Sequence, residues 1–352
     1  MLAKKYLRAA VAPAALLLLS CTASAAAAPK KEAPREGDLS THINLDARDA
    51  ETKLEIIQHE LFAAQQQAVR IEFMLRYAAR VEMDFIDYPS GSDLVPGYVF
   101  RAKDSAGNIP AGRKPAIVLV HGGFHERLNS HWFRMIVELA EKGYLVIFPE
   151  YRGSRGYGEN HYQNDYGVTD TADVLAAAAY LARRPDVDPE RLAIIGESRG
   201  GMVTLLAIEQ EAKRFKAAVD IVGLTDFVAY MGYKPEYRRQ EVARQSPSLG
   251  GKLPNENLAA YMAISPINAV DKIETPLLVL ATTGDKIAPL TLHTGRLLDA
   301  LKARDKVYDA KIYDNAPGGH VFMHGDQPER DDAMTRIFAW LERFMGVPTA
   351  AK

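Results

Sequence analysis

Cysteine is nearly absent. Cys21 is the single one among 352 residues, so no disulfide can close within the chain and a zinc site built on cysteines is excluded. An excess of one charge is missing too: 43 Lys and Arg face 45 Asp and Glu, a net of −2. That balance offers no general electrostatic case for nucleic acid, and none is expected as a partner. No Gly-x-Gly-x-x-Gly and no Gly-x-x-x-x-Gly-Lys follows a strand pattern, so nucleotide binding has no support. No apolar run reaches the roughly 20 residues that a membrane-spanning helix needs, and no internal repeat is present. What is there is ordinary globular material, 47% hydrophobic and 25% charged, sufficient for a sizeable core.

The first residues read as an address. Lys4, Lys5 and Arg8 precede an apolar run from Ala9 to Leu19, and small residues follow from Ser20 to Ala28. This is the pattern of a bacterial secretory signal, expected to end at residue 20 or as late as residue 25. Leu18-Leu19-Ser20-Cys21 resembles a lipobox, in which Cys21 is the lipidated residue; Ala23-Ser24-Ala25 offers a competing cleavage site. The expectation is an exported bacterial protein, either periplasmic or anchored to the membrane through Cys21. Residues 21–44, rich in Ala, Pro, Lys and Glu without a period, read as a flexible linker.

A helical segment is expected over residues 45–80. Its apolar positions Leu54, Ile57, Leu61, Ala64, Ala68, Ile71, Leu75 and Ala78 follow heptad steps. Such a seam either docks on the following domain, closely where the alanines lie, or serves as a cap or a homodimer contact. From Val81 the pattern turns to strands alternating with helices, the mark of a mostly parallel sheet covered on both faces. Strands are expected near residues 83–88, 97–102, 116–120, 144–148, 191–195, 216–222, 276–281 and 307–313.

The strand ending at Ile195 runs into Gly196-Glu197-Ser198-Arg199-Gly200-Gly201 before a helical pattern. Gly-x-Ser-x-Gly between strand and helix is a nucleophile elbow, with glycines where side chains would collide. A serine needs a base, and the base needs an acid to hold its tautomer. Asp285 and His320 both stand just past strands, in the order Ser, Asp, His and on the same sheet edge as Ser198. Asp226 is a rival acid and His324 a rival base. Oxyanion donors are expected from the backbone of Arg199 and from the loop His121-Gly122-Gly123-Phe124, notably Gly122 and Gly123.

Residues 81 to 346 resemble the catalytic domain of the prolyl-oligopeptidase family of serine hydrolases. The likeness extends to Tyr151-Arg152-Gly153-Ser154-Arg155-Gly156-Tyr157-Gly158, to the helix start between Asp165 and Val174, and to Val187-Asp188-Pro189-Glu190-Arg191 before the elbow. It implies an α/β-hydrolase fold, a mostly parallel eight-stranded sheet with helices on both faces over residues 81–347. It also implies Ser198 as nucleophile, Asp285 as orienting acid and His320 as general base. Large members carry a β-propeller; the 36 residues between the linker and Val81 leave no room for one there. Where prolyl oligopeptidase has a tyrosine oxyanion donor this chain has His121, so strict cleavage after proline is not implied.

Residues 226–262 form an insertion expected to cap the site. Phe124, Tyr230, Tyr233 and Arg238 are candidate substrate contacts, the arginine for a carboxylate; the aromatics alternatively only pack the insertion. No metal is expected, because His121, His125 and His131 lack a carboxylate or thiolate at ligand spacing, and no cofactor is expected. Asp170 and Asp173 read as a helix cap and its first turn. The expected function is an exported serine peptidase acting on peptides or small acyl substrates through an acyl-enzyme. The alternatives are a carboxylesterase and a catalytically silent envelope binding protein.

Overall fold

The computed structural model describes residues 50–347. The expected export signal, Cys21 and the expected linker lie outside the described residues. Two compact units divide the chain, one ending at Gln65 and the other beginning at Gln66. Helix α1, Ala50–Tyr77, is one unbroken element. Its heptad positions Leu54, Ile57, Leu61, Ala64, Ala68, Ile71 and Leu75 all face solvent. Within the second unit, the last turns of α1 pack on the sheet's core through Val69, Phe73 and Tyr77, spaced four apart on a different face. Ala68, a seam alanine within the second unit, is exposed. Phe73, fully buried, sits 5.0 Å from the Phe133 ring and 5.1 Å from Phe100. Three aromatic rings remove more apolar surface from water than alanine methyls can.

The strands are β1 (Val81–Ser90), β2 (Asp93–Ala102), β3 (Lys114–Val120), β4 (Leu145–Pro149), β5 (Val187–Glu197), β6 (Ala217–Ile221), β7 (Leu277–Thr282) and β8 (Tyr308–Tyr313). They form one eight-stranded sheet in the order β1-β2-β4-β3-β5-β6-β7-β8, antiparallel only at β1/β2 and β2/β4. This is the α/β-hydrolase architecture. Helices α2 (Ser130–Glu141) and α10 (Pro328–Met345) cover one face. On the other lie α4 (Thr169–Arg183), α5 (Arg199–Gln210) and α9 (Thr294–Ala303), with the short α3 (Glu159–Tyr162) at the rim. Strand alternation feeds both layers. Ile117, Leu119, Ala193 and Ile195 point into one core, while Val118, Val120, Leu192 and Ile194 point into the other.

The insertion folds as α6 (Phe227–Tyr233), α7 (Glu236–Gln245) and α8 (Leu258–Ala263). It closes a third apolar cluster in which Phe227, Tyr230, Met231, Val242 and Tyr261 meet Tyr166, Met202 and Leu206. From β3 the chain winds towards β4, and from β5 towards β6, so the strand order reverses at the centre of the sheet. Ligand sites of such sheets form outside the strand ends at this reversal.

Replacing Phe73 by alanine is expected to destabilise the protein by about 3 kcal/mol, whereas Leu75→Ala is expected to cost less than about 0.5 kcal/mol. Urea unfolding of both variants checks which face of α1 is docked.

Candidate active site

The elbow between β5 and α5 forces Ser198 into φ 59°, ψ −118°, a conformation costing about 1–3 kcal/mol for a residue with a side chain. Close packing holds it there. A β-carbon on Gly196 would lie 2.1 Å from the Gly200 carbonyl oxygen, and one on Gly200 would lie 2.2 Å from that of Val120. The Ser198 N–H donates to the Ile221 carbonyl at 2.8 Å, which fixes the turn to β6. The hydroxyl is thereby raised at the carboxyl edge of the sheet, over the N-terminus of α5.

Two other strand ends deliver its partners. Past β8 the chain turns through Gly318 and Gly319, both at positive φ, into a 3-10 stretch Gly319–His324. His320 Nε2 lies 2.7 Å from Ser198 Oγ. His320 Nδ1 lies 2.7 Å from Asp285 Oδ2. Past β7, Asp285 is buried, and its Oδ1 accepts the N–H groups of Ile287 at 2.7 Å and Ala288 at 2.8 Å. With Nδ1–H donated to the carboxylate, Nε2 is left as an acceptor for the serine hydroxyl. The two rivals are engaged elsewhere. Asp226 caps α6 through Ala229 N–H and pairs with Arg296. His324 bonds Glu197.

The glycine loop after β3 lies against the nucleophile: a β-carbon on Gly122 would fall 3.2 Å from Ser198 Cβ. His121 anchors it from below. It is fully buried, stacked 4.2 Å from Tyr151, with Nδ1 at 2.9 Å from Gly122 O and Nε2 at 3.0 Å from Ser154 Oγ. Burial pushes its pKa down to about 3, so it is a neutral strut at physiological pH.

The side chain of Arg199 is the main feature that the sequence reading missed. Only its backbone was assigned a role, yet its guanidinium is 1% exposed. It pairs with the equally buried Asp170 and donates to the carbonyls of Gly123 at 3.2 Å and Phe124 at 3.1 Å. The rings of Tyr166, Tyr151 and Phe124 surround it at 4.7 to 5.4 Å. A signal did exist. A cation in the first turn of α5 opposes the helix dipole, which calls for a dedicated counter-ion. Asp170 is that counter-ion, not a cap: Val168 occupies the N-cap of α4 and makes no side-chain capping bond. Asp173, read as belonging to the first turn, receives Arg152 through both carboxylate oxygens.

Of the candidate substrate contacts, three come together. Phe124 lies 5.9 Å from Tyr230, and the Arg238 guanidinium lies 4.6 Å over the Phe124 ring while donating to Glu241. Tyr230 is itself mostly packed away, stacked 5.3 Å from Phe227. Tyr233 instead ties the cap to the acid loop. Its hydroxyl donates to the Ile287 carbonyl at 2.9 Å and accepts from His293 Nε2 at 2.8 Å. His293 Nδ1 accepts from the backbone of Thr225, and burial pushes its pKa down to about 4. The histidines weighed for a metal have separate partners. His125 stacks 3.8 Å from Tyr162, and His131 packs edge-on against His324. No cluster of three or more potential ligands occurs among the described residues.

Residues 131–347 match the model of the prolyl oligopeptidase family. The chain belongs to this family. Among its relatives in the family, the acylamino-acid-releasing enzyme of Arabidopsis thaliana is 28% identical over 243 residues, covering 65% of this chain and 30% of its own length. The uncharacterized peptidase YuxL of Bacillus subtilis is 28% identical over 257 residues, covering 72% of this chain and 37% of its own. Among solved structures, a puromycin-hydrolyzing peptidase of Mycobacterium tuberculosis superposes with a TM-score of 0.64 at 28% identity, over 76% of this chain and 40% of that one. The chain thus spans about a third of the length of the curated relatives it matches.

Arg199→Ala leaves Asp170 buried and unpaired and is expected to cost about 3–5 kcal/mol, whereas Arg199→Met combined with Asp170→Leu is expected to cost clearly less. Denaturant midpoints of the three proteins check this.

Proposed function

We propose that the chain is a serine peptidase that works through an acyl-enzyme, with Ser198 as nucleophile, His320 as general base and Asp285 as orienting acid. The observation that carries this reading is the unbroken pair of 2.7 Å contacts from Asp285 through His320 to Ser198. In the first step His320 Nε2 takes the hydroxyl proton as Ser198 Oγ attacks the substrate carbonyl. The carbonyl electrons move to oxygen, beside the backbone of Arg199 and the Gly122–Gly123 loop, where preorganised donors stabilise the charge. His320 then gives its proton to the leaving amine, and water, activated in the same way, releases the acid and frees the serine.

A peptide or N-acylated amino-acid substrate is favoured by the family and by the relatives that release acylamino acids. The acyl side would lie along Phe124 and Tyr230, with Arg238 offering donors to a carboxylate or carbonyl. The amino-terminal pattern supports export to the periplasm of a bacterium, with anchoring through a lipidated Cys21 where the lipobox is used. The heptad of exposed apolar positions on α1 fits a second copy of the same helix, and sedimentation over a range of concentrations tests that dimer. Mass spectrometry of the mature amino terminus separates a lipidated Cys21 from a soluble start near Ala26.

Ser198→Ala is expected to stay folded, to escape labelling by a fluorophosphonate probe and to lose about ten-thousand-fold or more in kcat. Labelling that persists in this variant overturns the assignment. Rates on N-acetylaminoacyl and dipeptidyl p-nitroanilides are expected to exceed those on p-nitrophenyl acyl esters relative to each substrate's spontaneous hydrolysis; the reverse order makes the protein a carboxylesterase.

A further inference from the structure

Behind the nucleophile the glycine loop and the His320 turn meet again, through groups that acyl transfer does not use. Glu197, the residue before Ser198, is buried, and its Oε1 lies 2.6 Å from His324 Nε2. The other polar atom of each, Glu197 Oε2 and His324 Nδ1, is buried without a hydrogen-bond partner among the described residues. Each of the two is therefore the other's main support. The His324 ring stands edge-on to His131 and Trp132 of α2, 5.4 Å from both. Trp132 Nε1 in turn donates to Glu126 Oε1 at 3.3 Å, and Asn129 donates to the same oxygen at 3.1 Å.

Glu126 belongs to the loop that carries the oxyanion donors. A β-carbon on Gly123 would fall 2.9 Å from Glu126 Cβ, and one on Gly122 would fall 3.5 Å from Glu126 Oε2. The Glu126 carboxylate therefore lies against the loop where negative charge develops during acyl transfer, the Glu197 carboxylate lies near enough to act on it, and a carboxylate there opposes that charge. His324 interacts with both and, as an imidazolium, would offset both. Both carboxylates draw its pKa upward against the effect of burial, and burial together with Glu197 draws that of Glu126 upward. The groups facing His324 are Glu197 from the end of β5, Glu126 from the glycine loop and His131 from α2.

We infer that His324 is a positioning residue of the acyl-transfer site: as an imidazolium it joins Glu197 at the elbow, offsets the carboxylate field behind the oxyanion position and keeps the elbow in register with the glycine loop. It touches no substrate. The inference rests on the acyl-enzyme reading and adds a second ionisation to it. His324 has a raised pKa, so its contribution is complete at low pH and is lost as pH rises through that value. An alkaline limb in kcat is the consequence.

The test is the pH profile of kcat and KM for the full-length wild type, His324→Gln, Glu126→Gln and the double variant His324→Gln/Glu197→Gln. His324→Gln is expected to lower kcat ten- to a hundredfold at neutral pH with KM within about twofold, and to lose the alkaline limb. Removing the orphaned carboxylate in the double variant is expected to restore at least part of kcat. Glu126→Gln keeps the acceptor for Trp132 and Asn129, and its alkaline limb is expected to move to lower pH because one of the charges that holds the proton on His324 is gone. If His324→Gln fails to fold, that shift in Glu126→Gln decides the matter alone. An alkaline limb unmoved in Glu126→Gln, or retained in a folded His324→Gln, overturns the inference. Wild type left unlabelled at Ser198 by the fluorophosphonate would instead overturn the acyl-enzyme reading beneath it.

Discussion

The whole site depends on one strained residue. Ser198 at φ 59° is held there because there is no room for anything else: Gly196 packs on the Gly200 carbonyl, and Gly200 packs on the end of β3. That contact fixes more than the serine. It presses the first turn of α5 against the glycine loop, so the nucleophile and the donors that receive the oxyanion share one rigid junction. His320 and Asp285 follow β8 and β7, which pair parallel to one another and, through β7, to β6, and so they arrive at the same rim.

Around this junction the protein has placed an unusual density of buried charge. Arg199 is paired with Asp170, and His324 is hydrogen-bonded to Glu197, each buried polar group beside a partner. Buried pairs of this kind contribute little net stability, because desolvation offsets most of the attraction. Their value is geometric. Arg199 holds two loop carbonyls, those of Gly123 and Phe124, in fixed directions, which an apolar substitute of equal volume could not do.

How far the sequence discloses this follows from the range of each signal. The elbow and the acid are legible because each follows a strand with a buried apolar run; the base follows the half-exposed β8 and is marked by the glycines of its turn, Gly318 and Gly319. The sheet is legible for the same reason, since Ile117 to Val120 and Ala193 to Ile195 alternate between two cores. The partners of Arg199 and His324 are not legible. Asp170 looks like a helix cap when only its neighbours in the chain are considered; its true partner is 29 residues away, and nothing local encodes that pairing. The heptad on α1 misleads in a different manner. A period identifies an apolar stripe but not which residues pack: within the second unit Phe73 is buried between Phe100 and Phe133, while the seam residues Ala68, Ile71 and Leu75 are exposed.

The tie between Tyr233 and the carbonyl of Ile287 has a mechanical corollary. Ile287 gives its N–H to Asp285 and its C=O to the roof helix α6, so the same peptide neighbourhood is gripped from above and below. Whatever displaces the roof by a few tenths of an ångström must either snap that hydroxyl bond or tug the carboxylate that sets the pitch of the imidazole. The position of α6 and the hold on Asp285 are thus joined through a single residue, Ile287.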